Sequence, residues 1–353
     1  MIRRMKNNKF IRLALWLLRA VIIVLILWGT ITTMLNNPYN LQQWIEILVF
    51  GIAHGSLYAL IAVGFTLVYK LVQLINFAHG EFFMSGAMVS TVFVAVPMNQ
   101  AGLFASQPYL ALLFTAIIAA TTSALIAWLT ERVVYRPLRN GPQLLSSIAA
   151  LGASLFWQGV FMGVFGAEVI IFPQIPVFRE TIPVVGTELM KSQIIVIFIS
   201  SLMLIGLVML LKRTKIGRTI RAVAENKGLA VLVGINIDRI VAITFGIGAA
   251  MAGIAGVLYA IFYGKTYYYM GFFPGIKAFI VALLGGIGSI PGAILGGFFL
   301  GILESIGPIL ILDGLGMPSA HQMRDIIAFA VLMIILIFRP QWFMRKQRLE
   351  KIS

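Results

Sequence analysis

The stretch Asn76-Phe77-Ala78-His79-Gly80-Glu81 sets an amide, an imidazole and a carboxylate close together in otherwise apolar sequence. Such groups can pass protons, contact a polar solute, or bond to neighbouring helices. On an ideal helix Asn76, His79 and Gly80 share one face, while Glu81 and Ser85 share another. Inside a membrane, ionisable side chains face the bundle or a wet cavity rather than lipid. Two roles follow: lining a pathway, or tying helices together near an interface. Asn76 is also of the type that caps a helix start. Glu304, again in an apolar context, carries the same two readings. Asn76, His79, Glu81 and Glu304 are therefore the translocation-path candidates.

A second polar feature is basic. It runs Lys212-Arg213-Thr214-Lys215-Ile216-Gly217-Arg218-Thr219-Ile220-Arg221-Ala222-Val223-Ala224-Glu225-Asn226-Lys227 and ends near Gly234-Ile235-Asn236-Ile237-Asp238. Its composition predicts a short helix from Gly217 to Lys227 stopped by Gly228. A second helix from Leu229 to Val233 is closed by Gly234. Ile220, Val223 and Ala224 form an apolar stripe beside Arg218, Arg221 and Glu225, a pattern suited to a groove on a partner. The plainer reading is a topogenic loop resting on anionic lipid.

Other chemistry is absent. Gly264-Lys265-Thr266 resembles the tail of a phosphate-binding loop, but Tyr259 stands where that loop requires glycine. The chain thus has no nucleotide site of its own. His54, His79 and His321 form no metal-spaced pair. With no cysteine, thiol chemistry is excluded. No nucleophile–base set is present, so the chain is expected to be neither an enzyme nor a cofactor or metal carrier.

The elements that must hold these groups are apolar helices. The chain has 353 residues, 60% hydrophobic and 11% charged, where a soluble domain carries about 25% charged residues. Its mean hydropathy is +0.98. The net charge of +15 invites a nucleic-acid partner, but position argues against one. The basic residues sit at the N-terminus, Arg132 to Arg139, Lys212 to Lys227 and beyond Arg339, each beside an apolar run. That is the positive-inside pattern of a polytopic membrane protein.

Crossings are predicted at Ala20–Leu35, Ile47–Tyr69, Leu74–Val96, Tyr109–Thr130, Leu144–Phe165, Ser192–Leu211, Ile240–Phe262, Ile276–Ile287, Ala293–Leu312 and Ile326–Phe338. The fold class is all-α, with about ten transmembrane or partly re-entrant helices and both termini cytoplasmic. Segments 144–165 and 276–287 are the short ones. The glycine ladder Gly285, Gly286, Gly288, Gly292, Gly296, Gly297, Gly301 suits close helix packing. Ser289-Ile290-Pro291-Gly292 reads as a turn.

Five separated motifs, in order, resemble the permease of bacterial branched-chain amino acid ABC importers. They are Gly55-Ser56-Leu57-Tyr58-Ala59-Leu60-Ile61-Ala62-Val63-Gly64, Ile75 to Glu81, and Glu131-Arg132-Val133-Val134-Tyr135-Arg136-Pro137. The basic segment through Arg239 and Leu284-Gly285-Gly286-Ile287-Gly288-Ser289-Ile290-Pro291-Gly292-Ala293 complete the set. The resemblance covers about Trp44 to Arg339 and leaves an extra N-terminal helix. It implies a bacterial inner-membrane importer in which a heterodimer of permeases works with two cytoplasmic ATPases. An external substrate-binding protein completes that assembly and supplies the amino acid. It also implies that the segment 212–239 couples to the ATPase through Gly217, Arg218, Arg221, Glu225, Asn226, Ala230, Gly234 and Asn236. Residues 1–40 then form an N-terminal segment and extra helix, 41–340 the permease domain, and 341–353 a basic tail. A urea or short-amide importer, or a channel or secondary transporter working without ATP, are the alternatives.

Overall fold

The computed structural model describes residues 9–36, 39–139, 141–184, 186–318 and 320–338. The basic tail 341–353 and the first basic residues, Arg3, Arg4 and Lys6, lie outside the described residues. Four helices come first: α1 (Lys9–Asn36), α2 (Leu41–Val72), α3 (His79–Gln100) and α4 (Pro108–Leu138). They are followed by α5 (Gln143–Phe165) and α6 (Lys191–Arg213). Two short helices, α7 (Lys215–Glu225) and α8 (Lys227–Leu232), precede α9 (Ile237–Tyr263). Last come α10 (Phe272–Gly285), α11 (Ile290–Asp313) and α12 (Arg324–Phe338). Strand structure among the described residues is confined to short pairs, β1 (Ile170–Ile171) with β4 (Lys265–Thr266), and β2 (Thr181–Val184) with β3 (Thr187–Met190). The chain is an all-α polytopic membrane protein.

Among the described residues, eight helices are long and apolar enough to cross a membrane: α1 to α6, α9 and α11. At 23 residues, α5 is no longer in question as a short segment. The 14-residue α10 is different. At 1.5 Å per residue it extends about 21 Å, short of a hydrocarbon core of about 30 Å.

The chain divides into two compact units. The larger, residues 52–184 and 188–299, is centred on α2, α3, α4 and α9. In α2, 72% of the most apolar window is buried, against 11% in α1. A helix that is hydrophobic all round belongs in such a core. Small residues let the helices approach. A Cβ on Gly253 of α9 would press on the Ala119 carbonyl at 2.6 Å, and one on Gly86 of α3 would meet Gly253 Cα at 2.7 Å. The Ser123 hydroxyl of α4 donates to the Phe82 carbonyl at 2.6 Å. Phe82, Phe83, Phe245, Leu57 and Leu60 are among the largest fully buried side chains. Of the glycine ladder, Gly285, Gly292, Gly296 and Gly297 pack closely, whereas Gly286 and Gly288 have open space around them. A Cβ on Gly297 would lie 2.6 Å from Ala59 Cα, and one on Gly296 would lie 2.8 Å from the Val281 carbonyl.

The turn ahead of α11 differs from the expected one. Its left-handed residues are Gly286 and Gly288, with φ of 84° and 91°. Ser289 then acts as a cap, its hydroxyl accepting from Gly292 N–H at 3.2 Å. Ile290 and Pro291 are already helical, because proline fits the first turn, where its missing N–H costs nothing.

The smaller unit joins the N-terminal stretch up to Gly51 to residues 185–187 and the stretch from Leu300. The Thr33 hydroxyl of α1 donates to the carbonyls of Leu310 (3.1 Å) and Ile309 (3.3 Å). These carbonyls belong to a π-helical end of α11, Pro308–Asp313, where the ordinary ladder is relaxed. Ser305 donates to the Ile47 carbonyl at 2.6 Å, and Tyr39 to Asp313 at 3.3 Å.

Candidate functional site

The basic segment folds by satisfying its own ends. The Thr214 hydroxyl accepts from Gly217 N–H at 3.0 Å and caps α7. Asn226 accepts from Leu229 N–H at 3.0 Å and caps α8. Asn236 accepts from Arg239 N–H at 3.0 Å and caps α9. The break between α7 and α8 therefore falls at Asn226, whose backbone is extended (φ −150°, ψ 109°). Gly228 is not the expected stop; it lies inside α8. Gly234, with φ of 82°, does close that helix. Its N–H donates to Val231 at 2.9 Å and the next N–H, of Ile235, to Ala230 at 3.0 Å, the double bond of a Schellman end.

Gly217 is a seat rather than a hinge. A Cβ there would run into the backbone of Leu210 and Leu211 at the end of α6. Ile220 and Val223 are each 1% exposed, and Ala230 is also buried. The stripe expected to meet a partner is thus turned onto the chain itself. Solvent instead meets Leu229, Val231, Leu232 and Val233, with Leu232 82% exposed. Beside them Arg218, Arg221, Glu225, Asn226, Gly234 and Asn236 are exposed. At the far end Asp238 holds two arginines of α4 and its following loop, Arg136 and Arg139, the latter at 2.6 Å. Arg139 in turn binds buried Glu131 at 2.5 Å. These arginines were read from sequence only as markers of membrane side. Their role as a clamp depends on a carboxylate a hundred residues away.

The buried set is arranged differently. Helix α3 begins at His79, not at Leu74, and its cap residue is Ala78, with no side-chain bond. Asn76 is therefore neither on the helix face shared with His79 nor its cap. Gln73, in the left-handed region with φ of 61°, ends α2, and Asn76 lies in the link that follows. Its side-chain oxygen accepts from the Tyr135 hydroxyl at 2.5 Å. Tyr135 and Glu131 bound a π turn of α4, Glu131–Tyr135, just ahead of Pro137, which lacks an N–H to continue the ladder.

His79 Nε2 lies 3.2 Å from the Ile61 carbonyl, a contact that requires the ring proton on Nε2. Glu81, 1% exposed, accepts from Ser154 at 2.8 Å and Gln158 at 2.7 Å, both on α5. The opposite side of α5 is open, with Phe156 61% exposed. Glu81 thus fastens a peripheral helix to the core. Glu304 is buried in the smaller unit.

A family model described as "Branched-chain amino acid transport system / permease component" matches residues 47–336. The chain belongs to this permease family. It is 39% identical over 317 residues to the high-affinity branched-chain amino acid transport system permease protein BraD of Pseudomonas aeruginosa, covering 89% of this chain and 99% of BraD. It is 37% identical over 319 residues to the corresponding permease protein LivH of Escherichia coli K12, covering 89% and 98%. A probable LivH of Methanocaldococcus jannaschii is 32% identical over 267 residues, covering 74% and 80%. No solved structure matches. The matched region leaves α1 outside it.

Within the matched region the permease holds a polar group that sequence reading passed over. Lys277, in the short helix α10, is 5% exposed. Its ammonium donates to the Tyr58 hydroxyl of α2 at 3.0 Å and lies 5.2 Å from the centre of that ring. His54, one turn earlier on α2, bonds through Nε2 to the Tyr263 hydroxyl at the end of α9. Its ring centre is 5.5 Å from that of Tyr58. A lysine at the centre of a membrane helix costs about 2.5–3.5 kcal/mol on insertion scales. The available signal was this lone lysine inside the apolar run Phe272 to Gly285.

Proposed function

We propose that this permease is the membrane subunit of an ATP-driven importer of branched-chain amino acids, with hydrolysis carried out by separate cytoplasmic ATPase subunits. The observation that carries the partner is the exposed run Leu229, Val231, Leu232 and Val233 beside Arg218, Arg221 and Glu225. Full burial of one Leu or Val contributes about 1.5–3 kcal/mol, so this patch favours a protein groove over water. The substrate class rests on the relatives, which are named as branched-chain amino acid permeases over nearly their whole length.

In this reading Gly217 and Ala230 seat the segment, and Asn226, Gly234 and Asn236 shape it. Arg218, Arg221 and Glu225 meet the ATPase. The clamp of Asp238 with Arg136 and Arg139 passes its movement to α4 and α9. The face bearing the segment and both termini is cytoplasmic, in a cell membrane, which agrees with the basic residues flanking the apolar runs. A second permease subunit and an external binding protein complete the machine. Asn76, His79 and Glu81 hold the helices through which the substrate passes, a role their buried hydrogen bonds support.

The test is uptake by vesicles containing the permease reconstituted with its ATPases and binding protein. Labelled L-leucine is expected to accumulate only with ATP. Accumulation of urea but not leucine would overturn the substrate class, and equal uptake without ATP would overturn the energy source. Replacing Arg221 and Glu225 together should lower leucine-stimulated ATP hydrolysis several-fold while the permease stays folded.

A further inference from the structure

We propose that the cleft between the end of α4 and the start of α9 binds one anionic phospholipid, its phosphate on Arg132 and Arg239 and an acyl chain against Trp128, Ile243 and Gly246. The inference goes beyond the importer reading and depends on neither its substrate nor its energy source.

The two helices part at this end. Deeper in the bundle they touch, a Cβ on Gly253 of α9 lying 2.6 Å from the Ala119 carbonyl of α4. Two turns earlier on α9, a Cβ on Gly246 would meet Ala124 Cβ at 3.9 Å, an ordinary contact, and nothing nearer. The gap is a cavity of about 480 Å³, lined by Trp128, Arg132 and Arg136 on one side and Arg239, Ile243 and Gly246 on the other. That is room enough for a small ligand, for which pockets run from about 300 to 1,000 Å³.

Charge is left over at one end. The two carboxylates of the lining, Glu131 and Asp238, are already met, Glu131 by Arg139 and Asp238 by Arg136 and Arg139. Arg132 and Arg239 are exposed and form no ion pair among the described residues. The Arg132 guanidinium lies 5.4 Å from the centre of the Trp128 ring. Stacking there holds its plane and leaves its N–H edge to grip a phosphate.

The other end is apolar. The pairs of Asp238 with Arg136 and Arg139 set the end of α4 beside the start of α9. Arg132 and Arg239 therefore share one end of the cleft, and Trp128 and Gly246 the other. From Arg239 the α9 wall runs about 10 Å through Ala242 and Ile243 to Gly246. Leu125, Leu129 and Val133 are exposed on α4 nearby, so this side of the helix faces hydrocarbon, with Trp128 in the place aromatic rings take at the membrane boundary. A free anion would use only the charged end and an apolar segment only the other, whereas an anionic amphiphile uses both. Basic pockets between membrane helices hold anionic headgroups in this way. The lipid thereby rests against the Arg136–Asp238 pair.

The experiment places the full-length permease in nanodiscs of phosphatidylcholine with a minor share of phosphatidylglycerol, one of the two lipids brominated on its acyl chains, and reads quenching of tryptophan fluorescence. The chain has six tryptophans, so the Trp128 signal is the part lost in Trp128→Phe. Wild type is expected to favour phosphatidylglycerol beside Trp128 by about fivefold or more over its share of the bilayer, since one arginine near an anionic headgroup is worth about fivefold. With Arg132→Gln and Arg239→Gln combined, the preference should fall to within about twofold of none. Lys70→Gln, which removes a charge at the end of α2, should leave it unchanged. Gly246→Leu keeps every charge but fills the apolar end, and should at least halve quenching of Trp128 by either lipid. No preference in wild type, an undiminished preference in the double variant, or an equal fall with Lys70→Gln overturns the site. Should the double variant fail to fold, Gly246→Leu decides, and undiminished quenching there overturns it. Loss of the preference in millimolar inorganic phosphate, but not in chloride of equal ionic strength, would overturn the lipid in favour of a free anion. Loss of Trp128 quenching when the complete complex assembles would overturn it in favour of a protein occupant.

Discussion

The basic segment and the buried Asn76–Glu81 stretch both interrupt an apolar chain with polar groups, and they satisfy those groups in opposite ways. In the segment each capping bond joins residues three apart: Thr214 with Gly217, Asn226 with Leu229, Asn236 with Arg239. In the buried stretch the partners are distant, with Asn76 to Tyr135 spanning 59 residues, Glu81 to Ser154 73, and Glu81 to Gln158 77. Local bonds let a piece move as a body without losing its shape. Distant bonds fix helices against one another. The first pattern suits a handle, the second a frame, and substitutions in the two should fail differently.

The sharpest contrast comes from the exposed apolar patch. Leu229 and Leu232 together, replaced by Asp, remove contacts worth about 1.5–3 kcal/mol each when buried. Affinity for the ATPase subunits, measured with the purified permease, is expected to fall at least a hundredfold. Thermal unfolding of the isolated permease should be unchanged, because neither side chain is buried there. Unaltered affinity would mean that the patch faces something other than the ATPase.

Glu81→Ala should do the reverse. It leaves Ser154 and Gln158 without their acceptor in a buried place, a loss of about 1–3 kcal/mol. The isolated permease should unfold at a lower temperature, with α5 the first helix to become susceptible to protease. Glu81→Gln retains one carbonyl oxygen for both donors and should preserve stability and leucine uptake. A large loss of uptake by a well-assembled Glu81→Gln would move this residue from the frame to the pathway.

The same contrast decides what could be read from the sequence. Spans are legible because hydropathy is a property of each stretch alone: Ile47–Tyr69 was expected and Leu41–Val72 is found. The end at Gly234 was legible because glycine tolerates its positive φ. The break at Asn226 was missed because Gly228 offered a competing stop, and an asparagine cap carries an equal local claim. The stripe Ile220, Val223 and Ala224 was recognised, but amphipathicity does not say whether the apolar face meets the same chain or another. For Glu81, Asn76 and Lys277 the partners are set by tertiary packing, and no local pattern encodes them. The clamp from Asp238 to Arg136 and Arg139 belongs to this second kind, although one end of it lies in the basic segment.

That mixed position makes Asp238 the next test. Asp238→Asn keeps the size but removes the charge that two arginines share. Partly exposed pairs of this kind contribute about 1 kcal/mol or less, so folding should change little. Leucine-stimulated ATP hydrolysis should nevertheless fall about threefold to tenfold, because the segment is released from α4. Full stimulation would show that movement reaches the helices by another route, such as the seat of Gly217 on α6.

The smallest effect expected is at Asn226. Replacing an asparagine cap by alanine costs about 1 kcal/mol, and by glycine only a few tenths, because glycine also accepts the cap conformation and leaves its N–H groups open to water. Asn226→Ala should therefore fray the start of α8 and tilt the patch that begins at Leu229, lowering stimulated ATP hydrolysis twofold to threefold. Asn226→Gly should stay close to wild type. Neither should alter unfolding of the membrane helices, since the bond at stake reaches only three residues along the chain. If Asn226→Ala lowered the unfolding temperature as much as Glu81→Ala, the segment would be part of the frame, and its local hydrogen bonds would not make it an independent body.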